Sequence, residues 1–138
     1  MHTRSLHHPI LLAALCAIGL TGAHAQPAPA LPAFQTAGPL QYACGGIGSD
    51  ESTAMRDAMK DYPLSLLFAS KGGNYLASLA VELLDAQGAA TRFTAAGPVC
   101  LLQLPAGRYT IKATTQDGNT QTQAVDVGPR GRTLDFRY

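Results

Sequence analysis

The chain has 138 residues, of which 46% are hydrophobic and 14% charged, and its formal net charge is +1. This length suits one compact domain. All four histidines lie among the first 25 residues, at His2, His7, His8 and His24. The rest of the chain therefore lacks the imidazole that a Ser-His or Cys-His nucleophile pair or a histidine metal site requires. It also lacks the basic excess of proteins that bind nucleic acid, so we expect no nucleic-acid partner.

Residues 1–25 have the pattern of a secretory signal peptide. Arg4 and the amino terminus form a positive n-region, residues 10–20 are apolar, and Ala23-His24-Ala25 is a small-x-small cleavage site. An apolar run of 11 residues is too short for a membrane anchor, which needs about 20. We predict cleavage after Ala25, removal of Cys16 with the signal, and a periplasmic or secreted protein with no membrane span.

Two cysteines remain after cleavage, Cys44 and Cys100. An oxidising compartment favours an internal disulfide between them, and two free buried thiols or an intermolecular bridge are the alternatives. Closing so long a loop is worth about 4 kcal/mol by the chain-entropy estimate. We predict the internal Cys44–Cys100 disulfide.

Residues 26–40 are rich in proline and alanine and carry no charged side chain. Such a segment favours extended conformations and does not build a core. The sequence therefore predicts a spacer here. The alternative is a docking peptide that uses Leu31 and Phe34 as anchors.

Residues 41–62 combine a glycine-rich turn with a helical pattern. Ser49 or Asp50 is expected to cap the helix, and Met55, Met59 and Tyr62 form one apolar stripe. Pro63 ends the helix. The glycines lack the Lys-Ser/Thr ending of a phosphate loop, and the spacing of the acidic residues matches no calcium loop.

From residue 63 to residue 138 the apolar period changes to two. Short strands separated by glycine turns are expected at 64–69, 77–84, 90–94, 99–104, 108–114, 120–127 and 132–138. Their spacing predicts a mainly β fold: a seven-stranded antiparallel two-sheet sandwich preceded by one short α-helix. We expect each sheet to have one buried and one solvated face.

Two motifs in this region carry a family resemblance. LPAGRYTI at 104–111 and VELLDAQG at 81–88 resemble the L-P-x-G-x-Y turn and the D-x-x-G strand ending of carboxypeptidase regulatory-like domains. CGGIGSDE at 44–51, with Tyr62-Pro63-Leu64, is similar to small exported proteobacterial proteins that carry this domain. The resemblance implies a transthyretin-like or carbohydrate-binding-like sandwich that serves as an interaction module, and it implies no peptidase activity.

The residues themselves predict no catalytic, metal or cofactor site, because the serines have no histidine base and no metal-ligand spacing occurs. The candidate ligand surface consists of one exposed aromatic and three polar residues near hairpin turns: Tyr75, Thr115, Asn119 and Gln121. We expect an exported, non-catalytic module that binds a protein or cell-envelope component. A carbohydrate-binding module and a small periplasmic hydrolase inhibitor are the alternatives.

Overall fold

A computed structural model describes residues 22–23 and 30–138 of the chain. The predicted cleavage site, Cys16 and residues 26–29 lie outside the described residues. The helix α1 (Ser49–Ala58) continues into one turn of 3-10 helix (Met59–Asp61). The strands are β1 (Gln35–Ala37), β2 (Leu40–Gly45), β3 (Leu64–Ala69), β4 (Leu79–Leu84), β5 (Ala90–Ala95), β6 (Val99–Gln103), β7 (Gly107–Thr114), β8 (Thr120–Val127) and β9 (Arg132–Arg137).

These strands form two sheets. Sheet A has five strands in the order β1-β2-β6-β3-β9, and sheet B has four in the order β5-β4-β7-β8. Neighbouring strands are antiparallel apart from β3 and β9, which are parallel. The prediction of a mainly β chain with one short helix is confirmed. The expected number of strands is wrong, because the described residues contain nine, and so is the expectation that every pair is antiparallel.

The two additional strands, β1 and β2, lie where a spacer and a glycine-rich turn were predicted. Gly38, at a φ of 55°, and Pro39 turn the chain from β1 into β2. Leu40, Tyr42 and Cys44 then alternate toward the core. β2 pairs with β1 on one side, and on the other with β6, whose Cys100 lies 56 residues after Cys44. The local sequence therefore hid the pairing.

The core lies between the two sheets and takes its side chains from both. The inward faces of β4 and β7 contribute Leu79, Val81, Leu83, Tyr109, Ile111 and Ala113, and sheet A contributes Leu40, Leu64, Leu66, Phe68, Cys100, Leu102, Leu134 and Phe136. The rings of Phe68 and Phe136, on neighbouring strands, have centroids 5.4 Å apart. This layering is what the period-two pattern predicts.

Helix α1 covers the other face of sheet A. Met55 is completely buried against Leu67, Val99 and Leu101. The expectation that sheet A has a solvated face is therefore wrong at β3, because all six residues of this strand are buried. Even Ser65 is enclosed, and its hydroxyl donates a hydrogen bond to the Met59 carbonyl at 3.1 Å.

The helix begins without the predicted side-chain cap. Gly48 is the N-cap residue and no side chain caps the first turn. Glu51 instead reaches back out of the helix, and its Oε1 accepts a hydrogen bond from the Gly46 amide at 2.7 Å. The prediction that Ser49 or Asp50 caps the helix is thus wrong, because the turn that enters the helix starts one residue earlier.

The described part of the proline-rich segment packs on the domain. Leu31 contacts the cluster beneath α1, and the Phe34 ring stacks on Tyr62 with centroids 5.4 Å apart. The anchors are the two residues named for the docking alternative, and the surface they contact belongs to their own chain. Residues 35–37 and 40 are already part of sheet A.

Candidate functional site

A groove opens at the end of the molecule where the β7–β8 turn meets the loop after β3. The turn is held by hydrogen bonds from the Thr115 amide to the Asn119 carbonyl (2.9 Å) and from the Asn119 amide to the Thr115 hydroxyl (3.1 Å). The loop is held in the same way, since the Ser70 amide donates to the Asn74 carbonyl at 2.8 Å. Both walls are therefore ordered by hydrogen bonds within the turn and within the loop.

The groove has a volume of about 470 Å³. Its lining combines hydroxyls, amides and one carboxylate with two aliphatic side chains and one aromatic ring: Ser70, Leu76, Ala77, Thr115, Gln116, Asp117, Asn119 and Tyr138. Among the described residues, the side chains of Gln116 and Asn119 have no hydrogen-bond partner. These two amides are free to bind a ligand that offers hydroxyl or carbonyl groups.

Tyr138 forms one wall of the groove. Its hydroxyl donates a hydrogen bond to the Ala113 carbonyl at 2.8 Å, which fixes the ring beside β7. Burial raises the pKa of this phenol above its usual value of 10.0. The half-buried ring thus serves as an apolar surface, because its polar atom is already bonded.

The structure brings together only part of the predicted ligand surface. Thr115 and Asn119 both line the groove. Gln121 does not, because its side chain reaches across to the other sheet and its amide donates a hydrogen bond to the Arg137 carbonyl. Gln123 does the same to the Asp135 carbonyl at 2.9 Å.

Tyr75, the remaining predicted residue, lies outside the groove. It pairs with Ala69 in an isolated bridge, and the Arg56 guanidinium of α1 is 5.4 Å from the centre of its ring. The phenol oxygen also accepts a hydrogen bond from Arg56. Tyr75 is 45% exposed, so one side of the ring faces solvent next to the helix.

Sequence reasoning missed the groove residues that come from other strands. Ser70, Leu76 and Tyr138 are distant in the chain from Thr115 and Asn119, and no local pattern connects them. The Lys71 amide donates to the Tyr138 carbonyl at 2.7 Å, which places the end of β9 beside the loop. Tyr138 could have been placed next to this loop only by knowing that β9 pairs with β3. The alternation of apolar and polar residues in β9 does not show which strand is its neighbour.

The predicted disulfide is confirmed. Cys44 and Cys100 face each other directly in the β2–β6 register, and their Cα atoms are 4.1 Å apart. Cys100 is buried in the core cluster that also contains Leu102. Neither cysteine lines the groove, and the bond belongs to the framework, where it ties β2, and through it the start of α1, to the centre of sheet A.

A second cleft, of about 320 Å³, lies at the opposite end of the sheets beside the Pro105-Ala106-Gly107 turn. Several of its polar groups form hydrogen bonds within the fold. The Asp85 carboxylate accepts the amides of Gln87 and Ala89, each at 2.9 Å, and the Tyr109 hydroxyl donates to the Pro105 carbonyl at 2.7 Å. Burial and then the nearby Asp85 charge raise the pKa of Tyr109 above 10.0. These contacts stabilise the turns at this end of the sheets.

Within residues 22–23 and 30–138, no three His, Cys, Asp or Glu side chains gather in a way that could hold a metal ion. In that same part of the chain, no helix is both long and apolar enough to cross a membrane. The chain matches no protein-family model, no curated protein and no solved structure. The function of the groove is therefore inferred from its own chemistry.

Proposed function

We propose that this chain is an exported, non-catalytic β-sandwich module that binds a protein or a component of the cell envelope through the groove. The observation that carries the proposal is the groove lining: two unpaired amides and several hydroxyls stand around Leu76 and the Tyr138 ring. Such a site binds a neutral, hydrogen-bonding ligand and offers no pair of groups for acid–base chemistry.

A carbohydrate is the envelope component that this lining suits best. Sugars present dense hydroxyl groups, which pair with amide and carboxylate side chains such as Gln116, Asp117 and Asn119. The Tyr138 ring supplies the apolar surface against which a sugar face can pack. The carbohydrate-binding alternative is thus supported by a specific site, and the resemblance to carboxypeptidase regulatory-like domains supports an interaction module of this kind. Residues 1–25 support a periplasmic or secreted location.

A different observation favours the hydrolase-inhibitor alternative. Ile47 is 74% exposed on the loop between β2 and α1. This loop is held on one side by the Cys44 disulfide and on the other by the bond between Gly46 and Glu51. A firmly held apolar side chain of this type is suited to enter a pocket of a partner protein. Co-purification with a hydrolase, abolished by Ile47→Ser, would support this second function.

The groove is tested with the double variant Gln116→Ala/Asn119→Ala, in which neither lost side chain has a partner among the described residues. Binding of the purified protein to peptidoglycan sacculi and to soluble glycans is measured beside that of the parent. We expect about a tenfold or greater loss of affinity, since each hydrogen bond contributes about 0.5–1.5 kcal/mol. Gln87→Ala, at the opposite end of the sheets, is the matched control and should bind like the parent.

A photo-crosslinking residue at position 116 tests, in the native envelope, whether the groove binds a protein. A specific adduct from position 116, absent when the same residue is placed at position 87, supports the groove. Equal adducts from both positions, or a double variant that binds its ligand like the parent, would each contradict the proposal. Absence of binding to both sacculi and soluble glycans would rule out carbohydrate as the ligand.

A further inference from the structure

The open face of sheet B has an unusually regular arrangement of side chains. Its central row runs across all four strands as Arg92, Glu82, Lys112 and Thr122. The row on one side of it is Thr94, Ala80, Thr114 and Thr120. The row on the other side is Ala90, Leu84, Thr110 and Ala124. The flanking rows therefore contain only alanine and threonine apart from Leu84, so the side chains on both sides of the charges are short. On the side of Ala80, Thr94 and Thr114 they leave a depression of about 430 Å³ beside the charges.

The charges in the central row are incompletely paired. Arg92 contacts Glu82 through both Nε and a terminal nitrogen, each 2.6 Å from the same carboxylate oxygen, Oε2. Oε1 has no partner within the described residues. Lys112 stands directly opposite Glu82 in the register, yet its ammonium group forms no ion pair in the part of the chain that the structure describes. One Glu82 carboxylate oxygen and the Lys112 ammonium group thus lie at paired positions on neighbouring strands, and neither forms an ion pair within the described residues.

This pattern is complementary to itself. A two-fold axis parallel to the strands, passing between β4 and β7, would place β4 over β7 and β5 over β8 of a second copy. Glu82 of each copy then faces Lys112 of the other, and Arg92 faces Thr122. The same rotation places alanine and threonine rows against each other, which permits the spacing of about 10 Å at which sheets pack. From this match of charge and shape we infer that the open face of sheet B binds a second copy of the chain as a symmetric, face-to-face dimer.

The size of the face limits the affinity of this dimer. Four strands about 4.8 Å apart and about 20 Å long present about 400 Å² per copy, or about 800 Å² in total. That area is below the range of about 1,200–2,000 Å² for stable specific interfaces, so the dimer is expected to be weak and to form reversibly only at high protein concentration. Because the central charges are its main specific contacts, its stability should fall with added salt.

The symmetry also bears on the groove, a consequence that rests on the proposed function. A two-fold axis parallel to the strands leaves both Thr115–Asn119 turns at the same end of the dimer. Two grooves would then face one surface, and simultaneous binding would raise the apparent affinity for a repeating ligand such as a glycan. The dimer itself is measured without any ligand, so its failure and that of the groove can be told apart.

The test is sedimentation velocity of the disulfide-intact protein over a concentration series. We expect a monomer–dimer equilibrium in the parent. Glu82→Lys and Lys112→Glu should each weaken dimerisation by about tenfold or more, since like charges then meet across the axis. An equimolar mixture of the two variants should dimerise again, because positions 82 and 112 then carry opposite charges wherever the two copies face each other.

The control is the charge reversal Asp126→Arg, on the same face but outside the central row, where Asp126 lies opposite Arg108. This variant should dimerise like the parent. Circular dichroism confirms that each variant is folded before its mass is compared. A parent that stays monomeric throughout, single variants that associate as the parent does, or a mixture that stays monomeric would overturn the inference.

Discussion

At the scale of single residues, Tyr109 shows how one side chain combines packing with a turn contact. Its ring is 8% exposed within the core between the sheets, and its hydroxyl donates to the Pro105 carbonyl at 2.7 Å. The aromatic residue of the L-P-A-G-R-Y motif therefore holds the turn that precedes its own strand. It packs in the same core cluster as Ile111 and Ala113 of its own strand, so its role is architectural.

Two substitutions separate these contributions. Tyr109→Phe keeps the ring and removes one hydrogen bond, so we expect a loss of about 1 kcal/mol in the free energy of unfolding. Tyr109→Ala also leaves a cavity and should cost about 3–5 kcal/mol. Urea denaturation of both variants beside the parent measures the difference. An alanine variant with the parent's midpoint would show that the ring contributes nothing to the core.

At the scale of elements, β9 is an edge strand of sheet A, and side chains from sheet B cover its unpaired edge. Gln121 and Gln123 of β8 donate to the carbonyls of Arg137 and Asp135, which point away from β3. Unpaired strand edges invite association with other chains. The glutamines therefore join the two sheets and also protect the edge of sheet A.

Replacing both glutamines by methionine keeps their length and removes the two donors. We expect the double variant Gln121→Met/Gln123→Met to lose about 1–3 kcal/mol and to aggregate faster on mild heating. Urea denaturation and light scattering measure the two effects. Gln103→Met, a substitution on β6 at an exposed glutamine, is the matched control, and equal aggregation of both proteins would argue against the protective role.

The disulfide is the second feature at this scale, because it joins two neighbouring strands of sheet A. Cys44→Ala/Cys100→Ala should lower the free energy of unfolding by about 4 kcal/mol. Without the bond, the unfolded chain is no longer closed into a loop and has a higher conformational entropy. Urea denaturation of this variant beside the parent checks the value. Thiol titration of the denatured, unreduced protein that lacks residues 1–25 should find no free thiol, and two thiols would contradict the bond.

At the scale of the whole molecule, the prediction concerns what is exported. Cleavage after Ala25 should yield a mature protein that begins at Gln26 and retains Leu31 and Phe34, whose side chains pack against α1 and Tyr62. Intact mass and N-terminal sequencing of protein recovered from the periplasm or medium measure the start. A product that keeps Met1, or that stays in the cytoplasm, would contradict the signal peptide.

Local periodicity determined most of the fold. The seven predicted strands from residue 63 onward correspond to β3–β9, and the Met55 stripe marks the buried side of α1. Alternation and helical spacing report which side of an element meets the core, and both are read within a few consecutive residues. The disulfide was also predicted without knowledge of the strand order, from the two cysteines that remain after the expected cleavage and from the oxidising compartment expected for an exported chain.

Only the tertiary structure decided which elements meet. β2 is recognised as a strand by its pairing with β6, and β3 loses its solvated face because α1 packs over it. The groove depends on contacts among the loop after β3, the β7–β8 turn and Tyr138, while Gln121 is drawn away to β9. Each of these outcomes joins residues far apart in the chain. Periodicity describes one segment at a time. Which strands pair, which faces are covered by a helix and which residues line a site depend on several segments at once.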